Sequence, residues 1–185
     1  MPSLVEIING SLLLIGANLI VDITERNGRI MNNFYPTTRD EVLASAEWNF
    51  AKARKQLSRL AAAPAFEFLY QYTLPTDPYC LRVTELYDSD SKWKIEGRNL
   101  LVDDDTVKIK YISRIEDTMQ FSPMFVKALQ FYLASLGAFP VMRDTVLCTK
   151  YYEMYLNTIS DARTANSQEG TIDEIENDEF LTARI

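Results

Sequence analysis

A chain without histidine lacks the commonest general base, the commonest proton shuttle and the commonest zinc ligand, and this sequence has none. Its two cysteines, Cys80 and Cys148, lie far apart and carry no metal-ligand spacing. They read as two buried thiols in a reducing compartment, with a single disulfide as the alternative. Asp103-Asp104-Asp105 offers three carboxylates to a cation. A calcium loop also needs alternating oxygens, a turn-making glycine and a distal bidentate acid, and consecutive side chains on a turn diverge, so the triplet reads as a solvated hairpin turn. Gly10 and Gly16 have no strand before them and no Lys-Ser/Thr pair after them, so they form no phosphate loop. Lysines and carboxylates are scattered at ordinary surface density, and nothing has the spacing of a nucleophile with its base. The expectation is a protein that is not an enzyme, with no cofactor and no metal site.

The aromatic residues are the other candidates. Trp48, in Glu47-Trp48-Asn49-Phe50, suits either a stacking platform for a base or sugar or a core position. Large aromatics dominate core energetics, so Trp48 and Phe50 are expected at the joint between a helical body and a β lobe. Trp93 is read the same way. The alternating Phe66, Phe68, Tyr70 and Tyr72 read as a packed sheet face or, on a projecting lobe, as an interface.

Helices must position the first part of the chain. Ser3-Leu4-Val5-Glu6 has the form of a capping box, and Leu4, Ile7, Ile8, Leu12 and Ile15 then recur at helical spacing up to Gly16. A second helix starts near Thr24 or Asn27, with Ile30, Phe34, Thr38 and Val42 on one face. Pro36 falls inside it, and the in-phase stripe argues for a kinked but continuous helix rather than two helices meeting at Tyr35-Pro36. From Trp48 the period shortens to that of strands. Residues 66–73, 81–87, 92–96, 100–102 and 107–112 read as a meander of short antiparallel strands. Ser122 then caps a helix with Pro123 at its first position, running to Gly137, and a last helix covers roughly residues 142–163.

Helices that bracket an insertion must close on each other to bury their apolar faces. The expected fold is therefore α+β, mainly α: a four-helix bundle (residues 1–47 and 120–167), an inserted antiparallel β lobe (48–119) and an extended C-terminal arm (168–185). The formal net charge is −7, of which residues 168–185 carry −5, from Glu169, Asp173, Glu174, Glu176, Asp178 and Glu179 against Arg184. The body is nearly balanced and offers no basic stripe in sequence for phosphates. The longest apolar run, residues 12–15, is far short of a membrane span, and the N-terminus lacks the leading Lys or Arg of a secretory signal. A soluble protein made in the cytoplasm is expected.

Several segments together resemble the tail tubular protein A-like family of phage head-to-tail adaptors, the gatekeeper-ring subunits of short-tailed phages. Tyr35-Pro36-Thr37-Thr38-Arg39-Asp40-Glu41-Val42-Leu43 followed by Trp48-Asn49-Phe50-Ala51 is similar to that family's helix and "W-N-F-A" segment. Leu74-Pro75-Thr76-Asp77-Pro78-Tyr79-Cys80-Leu81-Arg82-Val83 resembles its "L-P-x-D-x-L-R-V" strand entry. Lys94-Ile95-Glu96-Gly97-Arg98-Asn99-Leu100-Leu101 resembles its "I-E-G-x-x-L" hairpin, and residues 119–134 resemble its third helix. The resemblance covers residues 4–163. It implies a virion protein assembled as a homo-oligomeric ring of twelve, touching the portal protein above and a tail nozzle or tail tube protein below. DNA would pass through its lumen without specific binding, and there would be no cofactor, catalysis or membrane contact. A non-viral, soluble interaction module or accessory subunit without catalysis is the alternative.

The arm has too little apolar content for a core of its own. It is expected to order on the portal by seating Ile172, Ile175, Phe180, Leu181 and Ile185. A solubilising tail is the alternative.

Overall fold

The computed structural model describes residues 2–87 and 89–168. Four helices, α1 (Leu4–Leu14), α2 (Arg26–Ser45), α3 (Pro123–Gly137) and α4 (Thr145–Gln168), flank six strands. These are β1 (Lys52–Gln56), β2 (Tyr70–Thr73), β3 (Cys80–Leu86), β4 (Trp93–Glu96), β5 (Asn99–Val102) and β6 (Lys108–Ser113).

Local chemistry sets most of the helix ends. The Ser3 hydroxyl accepts from the Glu6 amide, and the Glu6 carboxylate accepts from the Ser3 amide at 2.6 Å, a complete capping box. Gly16, at φ +72°, stops α1 in the left-handed conformation that a side chain would resist. α2 runs unbroken through Pro36. Ser122 accepts from the Phe125 amide, with Pro123 at the first position of α3. After Gly137 the helix widens into a π-helical turn, Ala138–Met142, and left-handed Arg143 ends it. Asp144 Oδ1 then accepts from the Val146 and Leu147 amides and opens α4. The polar run after Arg163, expected to terminate α4, continues it to Gln168.

The chain does not form the four-helix bundle with one inserted lobe expected from the sequence. It has four helices and two separate three-stranded antiparallel sheets, in the orders β1-β6-β3 and β2-β5-β4. α3 is the hub against which α1, α2 and α4 each pack, whereas α1 and α2 meet only slightly. The bundle inference assumed that only helices could cover helices. In fact Ile112 of β6, with Trp48 and Ala51, is buried together with Ile8, Leu12, Leu43, Phe125 and Leu129, so the first sheet closes part of the helical core. The consecutive meander is likewise corrected. Only β4 and β5 pair as neighbours in sequence, while β6 returns between β1 and β3, and β5 between β2 and β4. A second core of Tyr72, Leu74, Val83, Leu100, Val102, Ile109 and Tyr111 lies between the two sheets.

The strand expected from Phe66 begins only at Tyr70. Glu67 sits at φ +76°, which breaks the alternation, and Phe66 is left 80% exposed. One helical run, Pro123–Met142, is long and apolar enough by composition to cross a membrane. In this fold Phe125, Leu129 and Leu133 from that run are fully buried in the helical core.

Gly28 lies in the first turn of α2, where an added Cβ would stand 2.8 Å from Cα and O of Ile23. Alanine there would gain about 1 kcal/mol of helix propensity. Forcing the backbone of residue 23 aside costs about 1–3 kcal/mol. Gly28→Ala is therefore expected to lower the urea midpoint without changing the slope of the transition.

Candidate interaction site at the joint between helices and sheets

Trp48 is 2% exposed, which removes it as a stacking platform. Its indole N–H donates to the Val42 carbonyl at 2.8 Å, tying the end of α2 to the lead-in of β1. Its ring meets Phe125 edge-on at 5.2 Å, Phe50 meets Phe125 at 5.3 Å, and Phe121 stands 4.6 Å from Phe125. A 3-10 turn, Asn49–Ala51, precedes β1 where a continuous strand from Trp48 was expected. Ser113 Oγ donates to the Ala51 carbonyl at 2.9 Å and fixes that turn to β6.

A polar strap runs alongside. Asp40 on α2 accepts from Arg39 at 2.8 and 3.0 Å and pairs with Arg114, just after β6, at 2.6 Å. The guanidinium groups of Arg114 and Arg98 stand 4.4 and 4.1 Å from the centre of the Tyr79 ring. Arg98, in the β4–β5 turn, also donates to the carbonyls of Cys80 (2.8 Å) and Pro75 (2.7 Å). The strap thus brings together residues from three of the segments on which the family resemblance rests. Pairwise spacing in sequence gives no sign of it.

The acidic triplet is not merely a solvated turn. Asp103 accepts from the Leu69 amide at 2.9 Å, and Asp104 accepts from the hydroxyls of Ser89 (2.5 Å) and Ser91 (2.6 Å). These two bonds hold the Asp104 carboxyl below its ordinary value. Among the described residues no group of three or more His, Cys, Asp or Glu side chains is placed to hold a metal ion. Cys80 and Cys148 are both free. Burial pushes the Cys80 thiol up, partly opposed by Arg98. On the outer side of α3, Tyr132 stacks on Tyr155 at 4.6 Å and donates to Glu41 at 2.5 Å. Burial first, and that bond second, push its hydroxyl well above the ordinary range, so it stays a donor. Trp93 lies on β4, all four residues of which are exposed.

Two surfaces escaped the sequence reading. Exposed Leu13, Leu19, Val21, Phe139, Met142 and Val146 come from the end of α1, the segment after it, the π-helical turn and the start of α4. Those elements meet, since Tyr151 donates to the Leu14 carbonyl and Gly137 closes on Ile15 and Met31. The second surface is basic. Register pairs Lys52 with Ile112, Arg54 with Lys110 and Gln56 with Lys108, so these cations share one face of the first sheet. Strand pairing assembles the stripe that linear order hides. Ile172, Ile175, Phe180, Leu181 and Ile185, the expected portal-binding residues, lie outside the described residues.

No protein-family model and no curated protein sequence matches the chain.

Trp48→Ala should cost about 3–5 kcal/mol, the range for truncating a buried large aromatic, and Trp48→Phe less, both read by denaturant unfolding. Asp104 has a depressed folded pKa. Its contribution is therefore present above its ordinary value of 3.8 and lost as pH falls through the folded value. Protection of the Ser91 amide relative to its intrinsic exchange rate, its N–H donating to Ser89, should fall on acidification through that window, and Asp104→Asn should remove this pH dependence.

Proposed function

We propose that this chain is a structural, non-catalytic adaptor subunit of a bacteriophage virion. Copies form a ring, twelve by family resemblance, that joins the portal protein to a tail nozzle or tail tube protein and surrounds the DNA ejection channel. The observation that carries the reading is the apolar surface on the elements that meet at this end of the helical layer: Val21 is 91% and Val146 75% exposed, and Leu13, Leu19, Phe139 and Met142 are exposed too. Exposed apolar side chains in this number on neighbouring elements mark a protein contact rather than a solvated surface. A closed ring needs such a heterologous contact on every copy. The order of the segments at residues 35–51, 74–83, 94–101 and 119–134 supports the family assignment.

In this reading the C-terminal arm docks on the portal through Ile172, Ile175, Phe180, Leu181 and Ile185, and repetition around the ring adds avidity. Mixing the purified chain with portal rings and imaging the mixture in negative stain tests the proposal. A ring of this protein seated on the portal is expected. Val146→Asp combined with Phe139→Ser should prevent ring closure while leaving the unfolding midpoint nearly unchanged. Deleting residues 170–185 should abolish portal binding, and unchanged binding would end the arm hypothesis.

A further inference from the structure

The first sheet carries its cations on the side that turns toward the helices. Lys52, Arg54, Lys108 and Lys110 share the face of Ile112, and Ile112 itself is buried in the helical core. Arg82 of β3, paired with Ile112, extends the same face. Among the described residues two of these five cations form ion pairs, Lys110 with Glu85 at 2.9 Å and Lys52 with Glu47 at 3.5 Å, which leaves three. Arg54, Arg82 and Lys108 form no ion pair with any described residue. A depression of about 280 Å³ at this end of β1 and β6 is lined by Arg54, Lys108, Lys110 and the exposed ring of Tyr87, together with Lys55 and Ile109 from the opposite face. A concentrated positive face on a chain of net charge −7 attracts an anionic occupant.

The same chain supplies one. α4 runs back along α3: Tyr151 reaches Leu14 near the Gly137 end, Arg163 reaches Ser45 near the Phe125 end, and α4 is nine residues longer than α3's fifteen. Its final turns therefore pass the start of α3 on the lobe side. Arg163 confirms the placement by donating to the Ser45 carbonyl at 2.8 Å, and Glu47, two residues on, already contacts Lys52. The sequence that follows Gln168, five residues beyond Arg163, is acidic. Its acids include Glu174, Glu176 and Asp178, alternating in sequence. In extended backbone such residues fall on one side at intervals of about 6.5–7 Å, the interval that also separates Lys52 from Arg54.

We propose that residues 173–179 seat, within their own chain, on the basic face formed by β1, β6 and β3. The acids engage Lys52, Arg54, Lys108 and Lys110 and balance the surplus. This concerns the free chain and does not depend on the portal reading. Binding there would compete with any docking of the arm elsewhere.

The test is zero-length carbodiimide coupling of lysine to carboxylate in the full chain, with mass spectrometry of the monomer fraction. The Lys110–Glu85 link serves as internal control. Links from Glu174, Glu176 or Asp178 to Lys52, Lys108 or Lys110 are expected to exceed those to Lys127 and Lys150. They should fade between about 0.01 M and about 1 M salt, as the screening length falls from about 30 Å to about 3 Å. Lys52→Glu with Lys108→Glu should abolish them. Equal coupling to all lysines, or none while the control link forms, overturns the proposal. Coupling chiefly between isotopically distinct chains assigns the face to a second copy and also overturns it. The full chain with D173N, E174Q, E176Q, D178N and E179Q should bind a short DNA duplex more tightly than the parent. Equal affinity would show that nothing in the parent chain occupies the face.

Discussion

The start of α3 has to sit against the lead-in of β1, and the remaining architecture is arranged around that contact. Phe125, in the first turn of α3, meets the rings of Trp48, Phe50 and Phe121. Ser122 and Pro123 hold that turn rigid, so the ring of Phe125 is presented in one place. Because Trp48 is also bonded to Val42, the end of α2 is drawn to the same point. Three elements distant in sequence thus share one apolar node. Both polypeptide crossings between helices and sheets, at residues 46–51 and 114–122, pass beside it.

Around this node apolar and polar interactions divide the work. The helical core is closed by α3 touching every other helix and by Ile112 reaching in from β6. The polar strap from Asp40 through Arg114 and Tyr79 to Arg98 is partly buried, with the side chains of Asp40 and Arg114 21% and 34% exposed. Two guanidinium groups 4.1 and 4.4 Å from the centre of the Tyr79 ring leave it little freedom to turn.

Signals that act over three or four residues were legible in the sequence. The capping box at Ser3 and Glu6, the Ser122-Pro123 start, the Gly16 stop and the Gly97 turn all stand where their side-chain chemistry requires. Strand positions from residue 80 onward were close for the same reason, since alternation is local. What failed was long-range. Nothing in a linear pattern says that β6 will enter between β1 and β3, and without that pairing the basic face does not exist. The bundle expectation failed because helices that bracket an insertion were expected to cover one another, and nothing in a linear pattern shows that Ile112 of a strand will cover part of their apolar surface. The Phe66 alternation misled because one left-handed residue, Glu67, outweighs four well-spaced aromatics. Trp48 and Phe50 were placed by their size and their position at a change of period, and they stand at the joint between helices and sheets.

The Arg98 side chain has a mechanical consequence. Its guanidinium grips two carbonyls from the segment between β2 and β3 while lying on Tyr79, whose ring also meets Arg114 and, through it, Asp40 of the long helix α2. Tension applied at the β4–β5 hairpin is carried along this line straight into a twenty-residue rod. It does not have to pass through the thin strands. The hairpin is in that sense the far end of a lever whose fulcrum is a tyrosine held by two cations.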